Sequence, residues 1–106
     1  MNNESDIFLV IHEDTAIYSL IGRITAARAS VLVTSCEKLP SQVRFLVFDL
    51  QNCSYIDSTT IGSFLKISRF MNERNGKLFL RHPSEEITAI LDDMRLTRFF
   101  FILDET

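Results

Sequence analysis

The chain has 106 residues, 46% of them hydrophobic and nine of them Phe, enough for one domain with a real core and too few for two. Its net charge of −3 and pI near 5.3 leave no basic stripe for a nucleic-acid backbone, so nucleic acid is not an expected partner. No apolar run reaches the length of a membrane span, and the polar, acidic start at Met1-Asn2-Asn3-Glu4-Ser5-Asp6 lacks the pattern of a signal peptide, so direct membrane insertion is not expected. Cys36 and Cys53 fit neither a metal motif nor a disulfide framework, which makes a reduced, cytoplasmic setting the expectation.

Residues 7–11 and 16–21 are strand-like runs around a turn at Glu13-Asp14-Thr15, and together predict a hairpin. Gly22 is then expected to break the strand and Thr25 to cap a helix. Over residues 25–38 Ala26, Ala29, Leu32, Val33 and Cys36 share one face at helical spacing, Val31 falls off it, and Pro40 ends the run. Residues 43–50 are apolar on both sides in their centre, the pattern of a strand covered on both faces.

After a short polar loop, residues 58–75 predict a second helix with Ile61, Phe64, Leu65, Ile67 and Met71 buried and Phe70 outside that stripe. Asn75-Gly76 suits a left-handed stop. Residues 77–81 predict a strand. Ser84-Glu85-Glu86 opens a third helix, its acids placed where the helix dipole favours them, with Ile87, Ile90, Leu91 and Met94 inward. Residues 99–103 form a last strand. The order β-β-α-β-α-β-α-β predicts an α/β domain over residues 1–106: a mixed, mostly parallel sheet with an N-terminal hairpin and helices packed on it.

The chemistry concentrates at Asp57-Ser58-Thr59-Thr60. A carboxylate and three hydroxyls sit where a helix leaves its first N–H groups unpaired, as helix caps do and as an anion or phosphoacceptor site also would. Ser58, Gly62, Lys66 and Arg69 fall on one helical stripe, largely opposite the apolar one. Gly62 costs about 1 kcal/mol relative to Ala, and its lack of a side chain would let another backbone approach. Gly22-Arg23-Ile24-Thr25 gains interest if the sheet brings it beside Ser58 at its carboxyl edge.

The remaining candidates are weaker. Cys36 reads as a small core residue, and no His accompanies Cys53 locally. His12 and His82 form no metal spacing, and neither a metal nor a cofactor is expected. Asp49 near a strand end invites comparison with a phosphoaccepting receiver aspartate, with Glu13 and Asp14 as the acidic pair, but a strand rather than a helix follows them. A serine hydrolase is disfavoured because no Gly-x-Ser-x-Gly elbow or partner base is present, and the chain is not expected to be an enzyme.

The segment Leu46-Val47-Phe48-Asp49-Leu50, followed by Tyr55-Ile56-Asp57-Ser58-Thr59-Thr60-Ile61-Gly62, resembles the signature of STAS domains, the anti-sigma-factor antagonist family. Gly22-Arg23-Ile24-Thr25 is similar to that family's Gly-x-Leu/Ile-Asp/Thr turn. Gly76-Lys77-Leu78-Phe79-Leu80 and the stretch from Ile90 to Phe100 resemble its late strand, helix and final strand. The resemblance implies a switch that, unphosphorylated, binds an anti-sigma factor and so frees a sigma factor to act in transcription. That partner is also a serine kinase of the histidine-kinase-like ATPase type, and a PP2C-type phosphatase reverses its action. It implies Ser58 as phosphoacceptor, with Thr59 a lesser candidate, and a docking surface of Gly22, Arg23, Thr25, Asp57, Ser58, Thr59, Thr60, Gly62 and Lys66. A homodimer is also allowed for.

The chain departs from the family pattern in having Thr60 where a glycine is common, Thr25 where many members have Asp, and an end soon after the last strand. These departures keep open a different class of function: a non-switching STAS interaction subunit of a lipid-transport or stress-signalling assembly, in which Ser58 is only a cap.

Overall fold

The fold is described from a computed structural model, which covers residues 5–103; the polar stretch at residues 1–4 lies outside the described residues. Strand β1 (Asp6–His12) turns back through Glu13-Asp14 into β2 (Thr15–Ile24) with His12 opposite Thr15, so the hairpin forms where the pattern predicts. Glu13 takes a left-handed φ of 59° in that two-residue turn. Helix α1 (Ala26–Glu37), β3 (Phe45–Asp49), β4 (Cys53–Ile56), helix α2 (Ser58–Glu73), β5 (Lys77–Arg81), helix α3 (Glu85–Asp93) and β6 (Phe101–Leu103) follow.

Two features differ from the sequence expectation. Gly22 does not break β2; it carries the strand through a bulge at φ 82°, where the register shifts. This conformation is open to glycine without a Cβ penalty. The stretch before Ser58 is not all loop, because β4 forms there and pairs in parallel with the end of β2, Ile24 opposite Ile56. In β4 Cys53 and Ile56 are buried while Ser54 and Tyr55 between them are exposed, so no alternation marks it as a strand.

The sheet runs β1-β2-β3-β5-β6, with β1 antiparallel and the other pairings parallel, and β4 joined to the far half of β2. Each crossover steps one strand further in the same direction. Right-handed crossovers of that kind put all three helices on one face. Burial agrees: Ala16, Tyr18 and Leu20 on β2, Leu46 and Phe48 on β3, and Leu78 and Leu80 on β5 join the helices' core. The Phe48 ring centre lies 5.7 Å from that of Tyr18 and 5.0 Å from that of Phe64.

The alternate residues face away from the helices. Val47 is buried between neighbouring strands, but Phe45 and Phe101 remain exposed and Phe79 half-buried, and none of these joins the core. Among the described residues the sheet is therefore covered on one face only, against the expectation from β3. Its open face is apolar in its own right, with the Phe79 ring centre 6.3 Å from Phe45 and 5.6 Å from Phe101.

The helices follow their predicted stripes with small corrections. In α1 Ala29, Leu32 and Cys36 are buried and Val31 is exposed as expected, but Ala26 is exposed at the helix start. In α2 Ile61, Phe64, Ile67 and Met71 are buried and Leu65 is half-buried; Phe70 lies half-buried under the Arg74 guanidinium at 4.9 Å. The Gly76 N–H donates to Met71 O at 2.8 Å and the Asn75 N–H to Asn72 O at 3.0 Å, with Asn75 at φ 61°, which closes α2 in a Schellman motif. Helix α3 is capped by Ser84, whose hydroxyl accepts the Ile87 N–H at 3.0 Å. Met94 caps α3 at its end and is exposed rather than inward. Residues Thr97–Phe99 form a 3-10 turn, which delays the last strand.

Candidate functional site

The pairing of β2 with β4 brings the two predicted turns to one edge of the sheet. Gly22 donates its N–H to Asn52 O at 2.9 Å, Arg23 sits opposite Tyr55, and Ile24 opposite Ile56. One residue beyond each strand, α1 starts after Thr25 and α2 after Asp57. The sequence expectation that Gly22–Thr25 lies beside the Ser58 turn is met through β4, a strand that the sequence reading missed.

Asp57 is the N-cap of α2. Its Oδ1 accepts the Thr60 N–H at 2.8 Å and lies 2.6 Å from Thr60 Oγ1. Thr60 Oγ1 also lies 2.8 Å from Ile24 O. The hydroxyl has one proton for these two acceptors, and a charged carboxylate is the stronger of them. The hydrogen bond from Thr60 holds the Asp57 carboxyl below its usual range, helped by backbone N–H groups that include that of Ala26. Desolvation opposes this without reversing it.

This geometry sorts the three hydroxyls. Thr60 is fully buried and ties α2 to the end of β2, so its side chain is not available to a docking partner, contrary to the sequence expectation. Its inward turn also keeps its methyl away from Ser58's exposed surroundings. Ser58 and Thr59 are exposed in the first turn, and their amides precede the first intrahelical bond, from Ile61 N–H to Asp57 O at 3.1 Å. Thr25 is the N-cap of α1 by position, but its hydroxyl makes no capping bond.

Gly62, Lys66 and Arg69 are exposed on α2 along the stripe that begins at Ser58. A Cβ at Gly62 would meet no atom within 4 Å, so the surface there is open to approach. Lys66 lines a shallow groove between α1 and α2 with Thr59, Ser63 and Ala26. The structure adds Tyr55, which sequence reading did not single out. Its ring lies 4.2 Å below the Arg23 guanidinium and presents a half-open aromatic beside the Ser58 turn.

The competing sites do not assemble. Burial pushes the Cys36 thiol up to about 12 and raises that of Cys53, so neither is poised as a thiolate. Asp49 is paired with Arg81 at 3.0 Å on the open sheet face. Its neighbour on β2 is Ser19, four register positions from Thr15 where the Glu13-Asp14 turn ends, so no acidic pocket forms around it. His12 is exposed beside Glu13, and His82 holds a positive φ of 56° just after β5.

A family profile described as the STAS domain matches residues 6–106. Among curated proteins, no sequence matches. Solved structures do. The chain overlays the unphosphorylated anti-sigma factor antagonist SpoIIAA with a TM-score of 0.78 at 18% identity, covering 95% of this chain and 89% of that one. The phosphorylated form of SpoIIAA, from Bacillus, gives 0.78 at 17% identity, covering 95% and 92%. An anti-sigma factor antagonist from Mycobacterium paratuberculosis gives 0.80 at 14% identity, covering 96% and 87%. The murine solute carrier 26 family member A9 anion transporter gives 0.73 at 10% identity, covering 90% of this chain but 17% of the transporter. These likenesses are of fold. Together with the profile, which spans the hairpin, both turns and all three helices, they make this chain a member of the STAS domain family.

Proposed function

We propose that this domain is an anti-sigma-factor antagonist whose binding is switched at Ser58. Unphosphorylated, it docks an anti-sigma factor that is also a serine kinase, and a PP2C-type phosphatase restores it after phosphorylation. The observation that carries this reading is the division of labour in the α2 cap. Asp57 and Thr60 are consumed by each other, while Ser58 stands exposed beside them, with Thr59 the lesser acceptor. Gly22, Arg23, Tyr55, Gly62 and Lys66 supply the surrounding docking surface. An ATP-using partner and two unpaired cysteines favour a cytoplasmic setting. No helix among the described residues is long and apolar enough to cross a membrane.

The physical mechanism is local. A phosphate on Ser58 adds about −1.5 to −2 charges. At the start of α2 the helix dipole and the first amides favour that anion by about 0.3–1 kcal/mol, so the fold tolerates it. In a close interface the same dianion must be desolvated beside Asp57. A cost of about 3 kcal/mol there weakens binding more than ~100-fold. The chain has the fold of both the unphosphorylated and the phosphorylated form of SpoIIAA, as a switch confined to the surface requires.

The likeness to a transporter-borne domain favours a second reading, in which the domain is a non-switching subunit and Ser58 only starts a helix. Intact-mass measurement and site mapping on protein from its own cells separate the two, together with partner capture by Ser58→Ala and Ser58→Asp. The switch predicts phosphate on Ser58, capture by Ser58→Ala and none by Ser58→Asp. Absence of phosphate under all conditions, with both variants capturing alike, selects the second reading.

A further inference from the structure

Among the described residues, strand β1 ends the sheet and only β2 pairs with it. Ile7-Phe8-Leu9-Val10-Ile11 carries no charge, no proline and no bulge, the devices that normally protect an edge. Phe8 is 55% exposed and Val10 63%; they share the open face with Ser19 and Ile17. Leu9 and Ile11 are each 41% exposed; they share the helix face with Tyr18 and Ala16, which are buried. Among the described residues, both faces of the strand from Phe8 to Ile11 are thus apolar and largely uncovered, while Ile7 packs against the core. A helix docked on one face would leave the other wet and the edge N–H and C=O groups unpaired, whereas a strand added at the edge pairs those groups and sets side chains beside those on both faces.

We infer that the added strand is β1 of a second copy of this chain, paired antiparallel about a two-fold axis through Leu9. That register sets Leu9 against Leu9, Phe8 against Val10, Ile7 against Ile11, and Asp6 against His12 of the second copy. Apolar residues meet apolar ones, and at each end a carboxylate meets an imidazole N–H. Centring on Phe8 instead sets Asp6 against Val10, and centring on Val10 sets Phe8 against His12 and Ile7 against Glu13. Neither alternative is self-complementary. The strand is also held ready: the Arg28 guanidinium donates to Ser5 Oγ at 3.0 Å and Ser5 O at 2.8 Å, fixing the start of β1 to α1. A seven-residue edge is a small interface, in the class of interfaces below about 1,200 Å² that associate weakly, so dissociation in the micromolar range is expected. The inference uses no residue of the Ser58 turn, so its failure leaves the proposed switch standing, and the reverse.

Sedimentation equilibrium of the full chain, from low micromolar to millimolar concentration, reads the association. The wild type is expected to form dimers. Val10→Lys is expected to weaken them at least tenfold with an unchanged circular dichroism spectrum. Asp6→Lys weakens them and the swap Asp6→Lys/His12→Asp restores them, an arm that holds even if Val10→Lys fails to fold. The register is read by oxidation. Opposed residues in antiparallel strands lie about 4.5–5.5 Å apart at Cα, within disulfide reach, so Leu9→Cys cross-links to itself faster than Phe8→Cys. Cys36 and Cys53 are buried and stay out of this reaction. A monomer at every concentration, association unaffected by both charged substitutions, or faster cross-linking at Phe8→Cys overturns the inference.

Discussion

Asp57 and Thr60 act as one unit, and substitutions there are expected to be coupled. Thr60→Val keeps the shape but removes the buried hydroxyl that joins the Asp57 carboxylate to the end of β2, at a cost of about 1–3 kcal/mol. Asp57→Ala removes the cap from the Thr60 N–H and costs about 1 kcal/mol. Because the two share hydrogen bonds, the double variant should lose less than the sum, as urea denaturation of all four proteins would read. The pH dependence has a definite sign. The folded carboxyl of Asp57 is held below its unfolded value, so its stabilisation is complete above the unfolded value and is lost as pH falls through the folded one. Between about pH 5 and the acid limit the wild type should therefore lose more stability than Asp57→Asn, which keeps a capping side chain but does not titrate. A parallel decline in thermal melts of the two proteins contradicts that assignment. At this scale the sequence pointed to the right turn but not to the roles within it. Composition cannot say which of Ser58, Thr59 and Thr60 turns inward; the position of Ile24, fixed by a distant strand, decides it.

Helix α2 contains one glycine and is followed by another, with opposite consequences. Gly62 faces open space, so Gly62→Ala should stabilise the helix by up to about 1 kcal/mol. If partners approach there, as proposed, the same change weakens their binding. Gly76 lies against β3's entry: a Cβ would fall 2.1 Å from Arg44 O, and the backbone must move to admit it. Gly76→Ala should cost at least about 1–3 kcal/mol by the usual penalty of overpacking. Thermal denaturation of the two variants checks the contrast, and a stabilising Gly76→Ala would contradict it. Most elements were legible because their patterns are local: the α2 stripe, the Asn75-Gly76 stop, the Ser84 cap and the 77–81 strand. Those that were not depend on partners distant in sequence. Strand β4 has two exposed residues between two buried ones, and the Gly22 bulge looks like a break until β4 is there to pair beyond it.

In the molecule as a whole, the sheet has a helix-covered face and an open one, and apolar patterning cannot distinguish the two when both carry phenylalanines. Phe48 is buried under α2 and Phe79 lies half-buried on the bare face, yet both sit in strands with apolar centres. The one-sided architecture leaves the carboxyl edge, where the Gly22–Thr25 and Asp57–Thr60 turns meet, as a preformed surface resting on a continuous core. A switch built on such a surface need not move the core. The most direct test is a binding titration of the intact domain, unphosphorylated and stoichiometrically phosphorylated at Ser58, against the proposed anti-sigma kinase, with circular dichroism recorded on both forms. The account predicts superimposable spectra and a loss of affinity of more than ~100-fold on phosphorylation. Equal affinities, or a loss accompanied by unfolding, would contradict it.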